Sequence, residues 1–377
     1  MLKVGTDFSG IGSPEQALIK LGIKHKSMFA CDFDKYAKQS YLANYNTENF
    51  YNDITTRNHN QTPYVDLYVA GFPCQTFSMA GKRKGFEDTR GTLFFDLLKY
   101  LESKKPKYFI LENVKGLLSH EKGRTFAIIL DCLAKTVNTQ YSFTMYDEGL
   151  NYHIYYKVLN TKDFGIPQNR ERVFIVGFRD DKHSFKFPKP FKLELKLKDI
   201  LEDNPDSKYN LSKNTILEKG TGNVLYNRKG FRTNTQVYDI NKICGTIDTA
   251  TGGGRQPHVL VDEIEIKGAA LRTHPRTTNP DKDRQAGRSK RVEVRHDGLA
   301  NSVTTHQLDS IIQVEKRIRK LTPLECFRLQ GFPDCFIDKC RAIGISDSQL
   351  YKQAGNSMTV DVMYYLIKEI LKNGETT

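Results

Sequence analysis

The stretch Leu2-Lys3-Val4-Gly5-Thr6-Asp7-Phe8-Ser9-Gly10-Ile11-Gly12-Ser13 reads as a strand running into a glycine turn, and a helix follows with apolar positions at Ala17, Leu18 and Leu21. Strand, glycine turn and helix in this order open a nucleotide-binding α/β unit. The glycines let the backbone approach a ligand, and the first helical turn offers free N–H donors. A glycine pair alone is equally compatible with close packing of helix on strand. The next predicted strand, Ser27 to Cys31, ends at Asp32-Phe33-Asp34. An acid at a strand end, about twenty residues past the turn, is placed to accept bonds from ribose hydroxyls. Phe33 beside it can stack on an adenine. The plainer role for Asp32 is the N-cap of a helix over 35–45. Asn52-Asp53-Ile54-Thr55 is polar enough to edge the same pocket.

The apolar run Val65 to Ala70 predicts a buried strand, which delivers Gly71-Phe72-Pro73-Cys74-Gln75-Thr76-Phe77-Ser78. Pro73 sets its own φ and biases Phe72 toward an extended backbone. Most lone cysteines are small buried hydrophobes; one at the mouth of a strand, between Pro73 and Gln75, is placed to react. Gly81 to Gly91 is a charged loop with glycines at both ends, the composition of a lid. Thr92 to Leu101 reads as a helix and Tyr108 to Leu111 as a strand ending at Glu112-Asn113-Val114. Open α/β sheets place their chemistry at strand C-terminal ends, so Cys74 and Glu112 are expected on neighbouring strands. A helix is predicted over 123–137 and strands over 153–159 and 173–178. Between the two strands lies Phe164-Gly165-Ile166-Pro167-Gln168-Asn169-Arg170-Glu171-Arg172, in which Arg170 and Arg172 share a face if the segment is extended.

From Pro188 the βα rhythm gives way to lysines, prolines and short apolar runs. Residues 182–320 carry 27 Lys and Arg against 17 Asp and Glu, most of the surplus behind a net charge of +13 in 377 residues. A basic segment of this kind suits a polyanion or a plain solvated surface. Asn241 to Thr249 echoes Gly298 to Thr305, and each precedes a predicted strand, at 258–261 and 310–314. Gly252-Gly253-Gly254-Arg255 allows close backbone approach to a groove and supplies an arginine. Thr322, Pro323 and Glu325 form a capping-box signature for a helix to Gln330, and a last amphipathic helix spans 360–371, packing back on the sheet. Hydrophobic content of 38% and charged content of 27% suit a globular chain, and no apolar run has the length of a membrane helix. Seven cysteines without paired spacing speak against a disulfide framework or a zinc site and for a reducing cytoplasm.

In this order, Gly71-Phe72-Pro73-Cys74-Gln75 with Phe77-Ser78, Glu112-Asn113-Val114, Gln168 to Arg172, the Arg319 to Pro333 block and Gly355-Asn356-Ser357 resemble the DNA (cytosine-5) methyltransferases of bacterial restriction–modification systems. The resemblance covers about residues 1–180 and 317–371. It implies an α/β fold: a doubly wound, mostly parallel, Rossmann-like sheet with a smaller β-rich target-recognition domain and DNA between them. The expected divisions are 1–187 for catalysis and cofactor, 188–318 for recognition, 319–353 as connection, and 354–377 returning to the catalytic domain.

The resemblance further implies S-adenosylmethionine held by Phe8, Gly10, Ile11, Gly12, Asp32, Phe33, Asp53, Ile54, Pro73, Leu93 and Asn356. It implies Cys74, Glu112, Arg172, Arg170 and Gln75 as catalytic groups. Contacts to double-stranded DNA are expected from Ser78, Lys82, Arg83, Arg232, Thr246 and Arg255. A monomer without metal is expected. For the family's Thr-Leu pair, Thr246-Ile247 matches by context and Ser302-Val303 by distance to Arg319; Thr246 is preferred because Gly252 to Arg255 follows it.

Three departures stand out: the first motif's acid is at Asp7 with Thr6 in its usual place, Ser13 replaces a glycine, and Met358 replaces a valine. Other readings are an RNA cytosine-5 methyltransferase on the same scaffold, an inactive DNA-binding module, and, from the glycine turn alone, a dinucleotide oxidoreductase.

Overall fold

Alternating βα units build a nine-stranded sheet among the described residues of the computed structural model, which are 1–73, 93–138, 143–145, 149–180, 184–210, 217–228, 236–247, 257–275, 288–294 and 311–372. Its first half runs β1 (Leu2–Asp7), α1 (Ser13–Lys20), β2 (His25–Cys31), α2 (Lys35–Asn44), β3 (Phe50–Tyr51), β4 (Leu67–Gly71), α3 (Leu93–Lys104) and β5 (Tyr108–Val114). These five strands lie parallel in the order β3-β2-β1-β4-β5. The chain therefore moves outward from β1 and returns to its other side at β4. That reversal opens a crevice at the strand C-termini, where doubly wound sheets bind ligands.

The second half runs α4 (Arg124–Leu133), β6 (Ala134–Asn138), β7 (Phe143–Met145), β8 (Tyr152–Asn160) and β9 (Glu171–Phe178). β9 lies antiparallel between β5 and β8. The helix expected to reach Val137 stops at Leu133. The next residues include β-branched Thr136 and Val137, which pair with β8 instead. Alternation along the strands divides the core between the two faces. Val4, Val69 and Ile110 belong to one buried cluster, and Tyr68, Ala70, Phe109 and Leu111 to the other, under α3 and α4.

The basic segment forms a six-stranded sheet: β10 (Leu217–Lys219), β11 (Val224–Arg228), β12 (Gln236–Asp239), β13 (His258–Pro275), β14 (Arg288–Val294) and β15 (Ile311–Lys320). The two strands expected after the echo are longer than predicted and pair antiparallel with each other as β13 and β15. Four helices close the chain: α5 (Pro323–Arg328), α6 (Asp334–Ala342), α7 (Asp347–Asn356) and α8 (Val360–Lys372). The capping box forms as read, with Thr322 Oγ1 accepting the Glu325 N–H and the Glu325 carboxylate accepting the Thr322 N–H. α8 returns to α1, where Lys20 pairs with Asp361 at 2.6 Å. No helix of the described residues is long and apolar enough to cross a membrane.

Candidate active site

Strand register brings the first two motifs together. Gly71, at the end of β4, pairs with Glu112 near the end of β5. Asn113 Nδ2 donates to the Phe72 carbonyl at 2.8 Å, anchoring the backbone just before Pro73. A Cβ at position 71 would lie 2.8 Å from Met358 Cε and 3.4 Å from Glu112 Oε2, so a larger residue would have to push the methionine end aside. Pro73 is exposed at this strand end. Cys74, Gln75, Ser78, Lys82 and Arg83 lie outside the described residues, as do Arg232 and Arg255.

The antiparallel β5–β9 pairing sets Arg172 opposite Val114, and its Nε meets Glu112 Oε1 at 3.1 Å. Both side chains are largely buried, at 18% and 12% exposure. Burial pushes the Glu112 carboxyl above the ordinary carboxylate range, with Arg172 and then Arg170 opposing part of the rise. A carboxyl held toward its neutral form beside a guanidinium can donate to a ring nitrogen while the planar cation faces a carbonyl oxygen.

Arg170, two residues before Arg172, is held by the main chain. The residue is 3% exposed, its guanidinium donating from Nη1 to the Ile247 carbonyl at 3.3 Å and from Nη2 to the Gly355 and Ser357 carbonyls at 3.1 and 2.9 Å. Burial and the Arg172 charge hold its pKa below the usual guanidinium value. Nη1 and Nη2 are thus occupied by main-chain carbonyls, while Nε is buried without a partner among the described residues. Arg170 directly precedes β9, and neither arginine is a surface charge, Arg172 being 18% exposed and Arg170 3%. Arg170→Met leaves three carbonyls without their donor, each about 1–3 kcal/mol when buried. We expect about 3 kcal/mol or more of lost stability, read from the urea midpoint at unchanged slope. A variant as stable as wild type yet slow would instead support the catalytic role expected for Arg170.

Thr246 Oγ1 donates to the Asn169 carbonyl at 2.9 Å, and backbone bonds Asn169 to Cys244 and Cys244 to Pro167 join the same segments. The preferred Thr-Ile pair is thereby stitched to the loop that carries Arg170. Its rival, Ser302-Val303, lies outside the described residues. Farther along, the buried Arg319 forks onto Glu325 at 2.8 and 2.7 Å, while Thr322 Oγ1 donates to the Glu202 carboxylate. Glu202 carried no signal in the sequence, because its partners stand over a hundred residues away.

At the crevice beside β1, a cleft of about 230 Å³ is lined by the expected Phe8, Asp32, Phe33, Asp53, Ile54 and Leu93, joined by Cys31 and Thr55. Phe8 adopts φ +52°, a strained value for a residue with a side chain. Asp32 accepts the Gly10 N–H at 2.8 Å and the Asp34 N–H at 2.9 Å, locking the glycine turn to the end of β2. Burial pushes the Asp32 carboxyl up, against those two bonds. Asp34, not Asp32, caps α2, accepting from Tyr36 and Ala37. The alternative role considered for Asp32 thus belongs to its neighbour.

Phe33 is 81% exposed on the rim. Gly12 has φ +80° and the Tyr45 ring 2.4 Å from where a Cβ would stand. The Ile11 side chain lies in the core rather than in the cleft. Asn356 is exposed at the end of α7. Two of the three departures touch: Ser13 Oγ shares a 2.7 Å bond with Ser357 Oγ and donates to the Met358 carbonyl at 2.8 Å. The hydroxyl absent from a glycine therefore fastens α1 to the loop after Asn356.

The family model for the C-5 cytosine-specific DNA methylase matches residues 6–372. The chain is similar to the orphan methyltransferase M.SPRI of Bacillus phage SPR, 33% identical with 98% of this chain and 97% of that protein covered. It is also similar to the type II methyltransferase M.SsoII of Shigella sonnei, 36% identical over 97% of this chain and 78% of that one. Among solved structures, S. pombe Dnmt2 methyltransferase shares the fold with a TM-score of 0.64 at 20% identity, over the whole of both chains. With nearly its full length matched and the Glu112–Arg172 pair seated at the strand ends, this chain belongs to the C-5 cytosine-specific DNA methylases and is a DNA cytosine methyltransferase.

Proposed function

We propose that the enzyme methylates carbon-5 of a cytosine flipped out of double-stranded DNA, at a specific sequence, with S-adenosylmethionine as donor and Cys74 as nucleophile. The cleft beside β1 suits that donor. It combines apolar walls at Phe8, Ile54 and Leu93 with a carboxylate, Asp32, whose oxygens keep lone pairs for diol hydroxyls. Phe8, Gly10, Gly12, Asp32, Phe33, Asp53, Ile54 and Leu93 would hold it, with Pro73 and Asn356 at the margins. Bound there, it supplies an electrophilic methyl on a sulfonium.

The chain's own residues solve the remaining problem, which is that carbon-5 of cytosine is a poor nucleophile. The Cys74 thiolate adds to carbon-6 while Glu112 gives its proton to ring nitrogen-3, turning the ring into an enamine nucleophilic at carbon-5. Arg172 faces the carbonyl oxygen and offsets developing charge. After methylation, loss of the carbon-5 proton to a base re-forms the double bond and expels the thiolate, and ring nitrogen-3 gives its proton back to Glu112, restoring both catalytic groups. A stacked base is out of reach of these groups, so the cytosine leaves the helix and the Gly81–Gly91 loop closes on it. Thr246, Arg232 and Arg255 on the basic recognition segment are assigned to DNA, as are Ser78, Lys82 and Arg83. Methylation by this enzyme would protect DNA from a restriction nuclease of the same specificity.

The observation that carries this reading is the buried Glu112–Arg172 pair beside the end of β4. The test is an oligonucleotide duplex with 5-fluorocytosine at the methylated site, which bisulfite sequencing of DNA from expressing cells identifies. The fluorine blocks the final elimination, so a covalent complex that maps to Cys74 is expected. Turnover on the normal duplex without any such complex would refute the thiol route.

A further inference from the structure

We infer that Arg57 is a positioning residue for the cofactor cleft, clamping two of its walls together through Asp7. The inference rests on the cofactor reading above and deepens it.

Moving the acid of the first motif by one place, from position 6 to Asp7, turns it to the opposite face of the sheet. On one face Thr6 Oγ1 donates to Ser9 Oγ at 2.8 Å. On the other, Asp7 receives a two-pronged bond from Arg57, Nη1 to Oδ1 at 2.6 Å and Nη2 to Oδ2 at 2.7 Å, with the Tyr68 hydroxyl also donating at 2.7 Å. The pair is sealed from water, at 1% and 0% side-chain exposure. The guanidinium carbon lies 4.8, 5.3 and 5.5 Å from the ring centres of Phe29, Tyr51 and Tyr100. An aromatic cage with a carboxylate floor leaves the guanidinium one orientation.

Position gives this clamp its purpose. Asp7 directly precedes Phe8, the strained residue on one wall of the cleft. Arg57 stands two residues beyond Thr55, on the wall formed by Asp53, Ile54 and Thr55. That wall is a turn, not a strand: β3 ends at Tyr51 and pairs only with β2. Within the turn, Asp53 Oδ1 accepts both the N–H and the hydroxyl of Thr55 at 2.8 Å. No ladder joins it to β1, and the Arg57–Asp7 fork makes that connection. A buried ion pair is a poor source of net stability compared with apolar packing of the same volume. What it supplies is direction, because the planar fork admits one distance and one angle. Arg57 does not itself line the cleft; it acts through Asp7 and the turn.

The test uses the full-length protein and S-adenosylhomocysteine as probe. Titration calorimetry gives the nucleoside affinity, and gel shift on the same preparation gives the DNA affinity. Arg57→Lys keeps the charge but loses the fork. Its S-adenosylhomocysteine Kd should rise about tenfold, the usual loss when a group supporting a binding residue is removed. The DNA Kd should move less than twofold, and KM for S-adenosylmethionine should rise by more than kcat falls. The double variant Asp7→Leu/Arg57→Leu removes both charges and leaves an apolar filling; it should fold and still bind the nucleoside weakly.

Wild-type nucleoside affinity in Arg57→Lys would overturn the clamp, as would full recovery in the double variant, which would reduce the pair to charge balance. A parallel loss of nucleoside and DNA binding would mark general unfolding and also overturn it. Wild-type protein that methylates DNA yet binds no S-adenosylhomocysteine would instead sink the cofactor assignment on which the clamp depends.

Discussion

Glu112→Gln should slow methylation about 10²–10⁴-fold, the range expected for a general acid in the rate-limiting chemistry. The amide fills the same volume and can still hydrogen-bond to ring nitrogen-3, but it has no proton to give. The effect should therefore fall on kcat, with DNA affinity little changed. Proton donation also sets the sign of the pH dependence. Burial raises the Glu112 pKa above the ordinary carboxylate range, so the neutral acid survives to higher pH than an exposed glutamate would. As pH rises through that folded value the acid is lost and the wild-type rate declines. Glu112→Gln should lack this declining limb. Single-turnover rates across pH, with a melting curve for each preparation, check both claims. A glutamine variant within tenfold of wild type, or one with the same limb, would remove Glu112 as the proton donor.

Cys74→Ser should be more severe, at about 10⁴-fold or more in methyl transfer, because a serine hydroxyl is far less ionised than a thiol at neutral pH and a poorer nucleophile. DNA binding should persist within a few-fold, since the recognition segment and the Glu112–Arg172 pair are untouched. Tritium transfer from labelled S-adenosylmethionine and a gel shift on the same preparation separate the two properties. Retained turnover in the serine variant would reject nucleophilic catalysis by this residue. Equal loss of turnover and binding would instead make position 74 a determinant of the folded site.

The two variants test residues whose motifs follow or end neighbouring strands, β4 and β5. In a parallel sheet every strand delivers its C-terminal end to one edge, so an apolar run followed by Gly71, or by Glu112, already announces the address. Gly71 pairing with Glu112 follows from β4 and β5 being neighbours. Two of the cleft residues were readable for the same reason, since Phe8 and Asp32 directly follow predicted strands, whereas Asp53 was singled out by its polar setting alone and follows β3, a two-residue strand too short to leave a pattern. Helix caps were readable when the cap lies within the local sequence, as Thr322 with Glu325. At the start of α2 the capping role considered for Asp32 falls to Asp34, which directly precedes Lys35, the first helical residue.

The amino-acid sequence by itself set the α/β class, the meeting of Gly71 and Glu112 at neighbouring strand ends and the order of the motifs, because each of these depends on periodicity and on residues close together along the chain. Tertiary structure alone decided where the long side chains point. Arg170 and Arg172 are two residues apart, yet one is buried on three carbonyls and the other meets Glu112. The one-place shift of the acid to Asp7 reads as a blemish in the motif until Arg57, fifty residues on, is seen filling the opposite face of the sheet. Such pairings arise from desolvation, which obliges a buried charge to find a partner wherever the fold offers one, and local spacing holds no record of that choice.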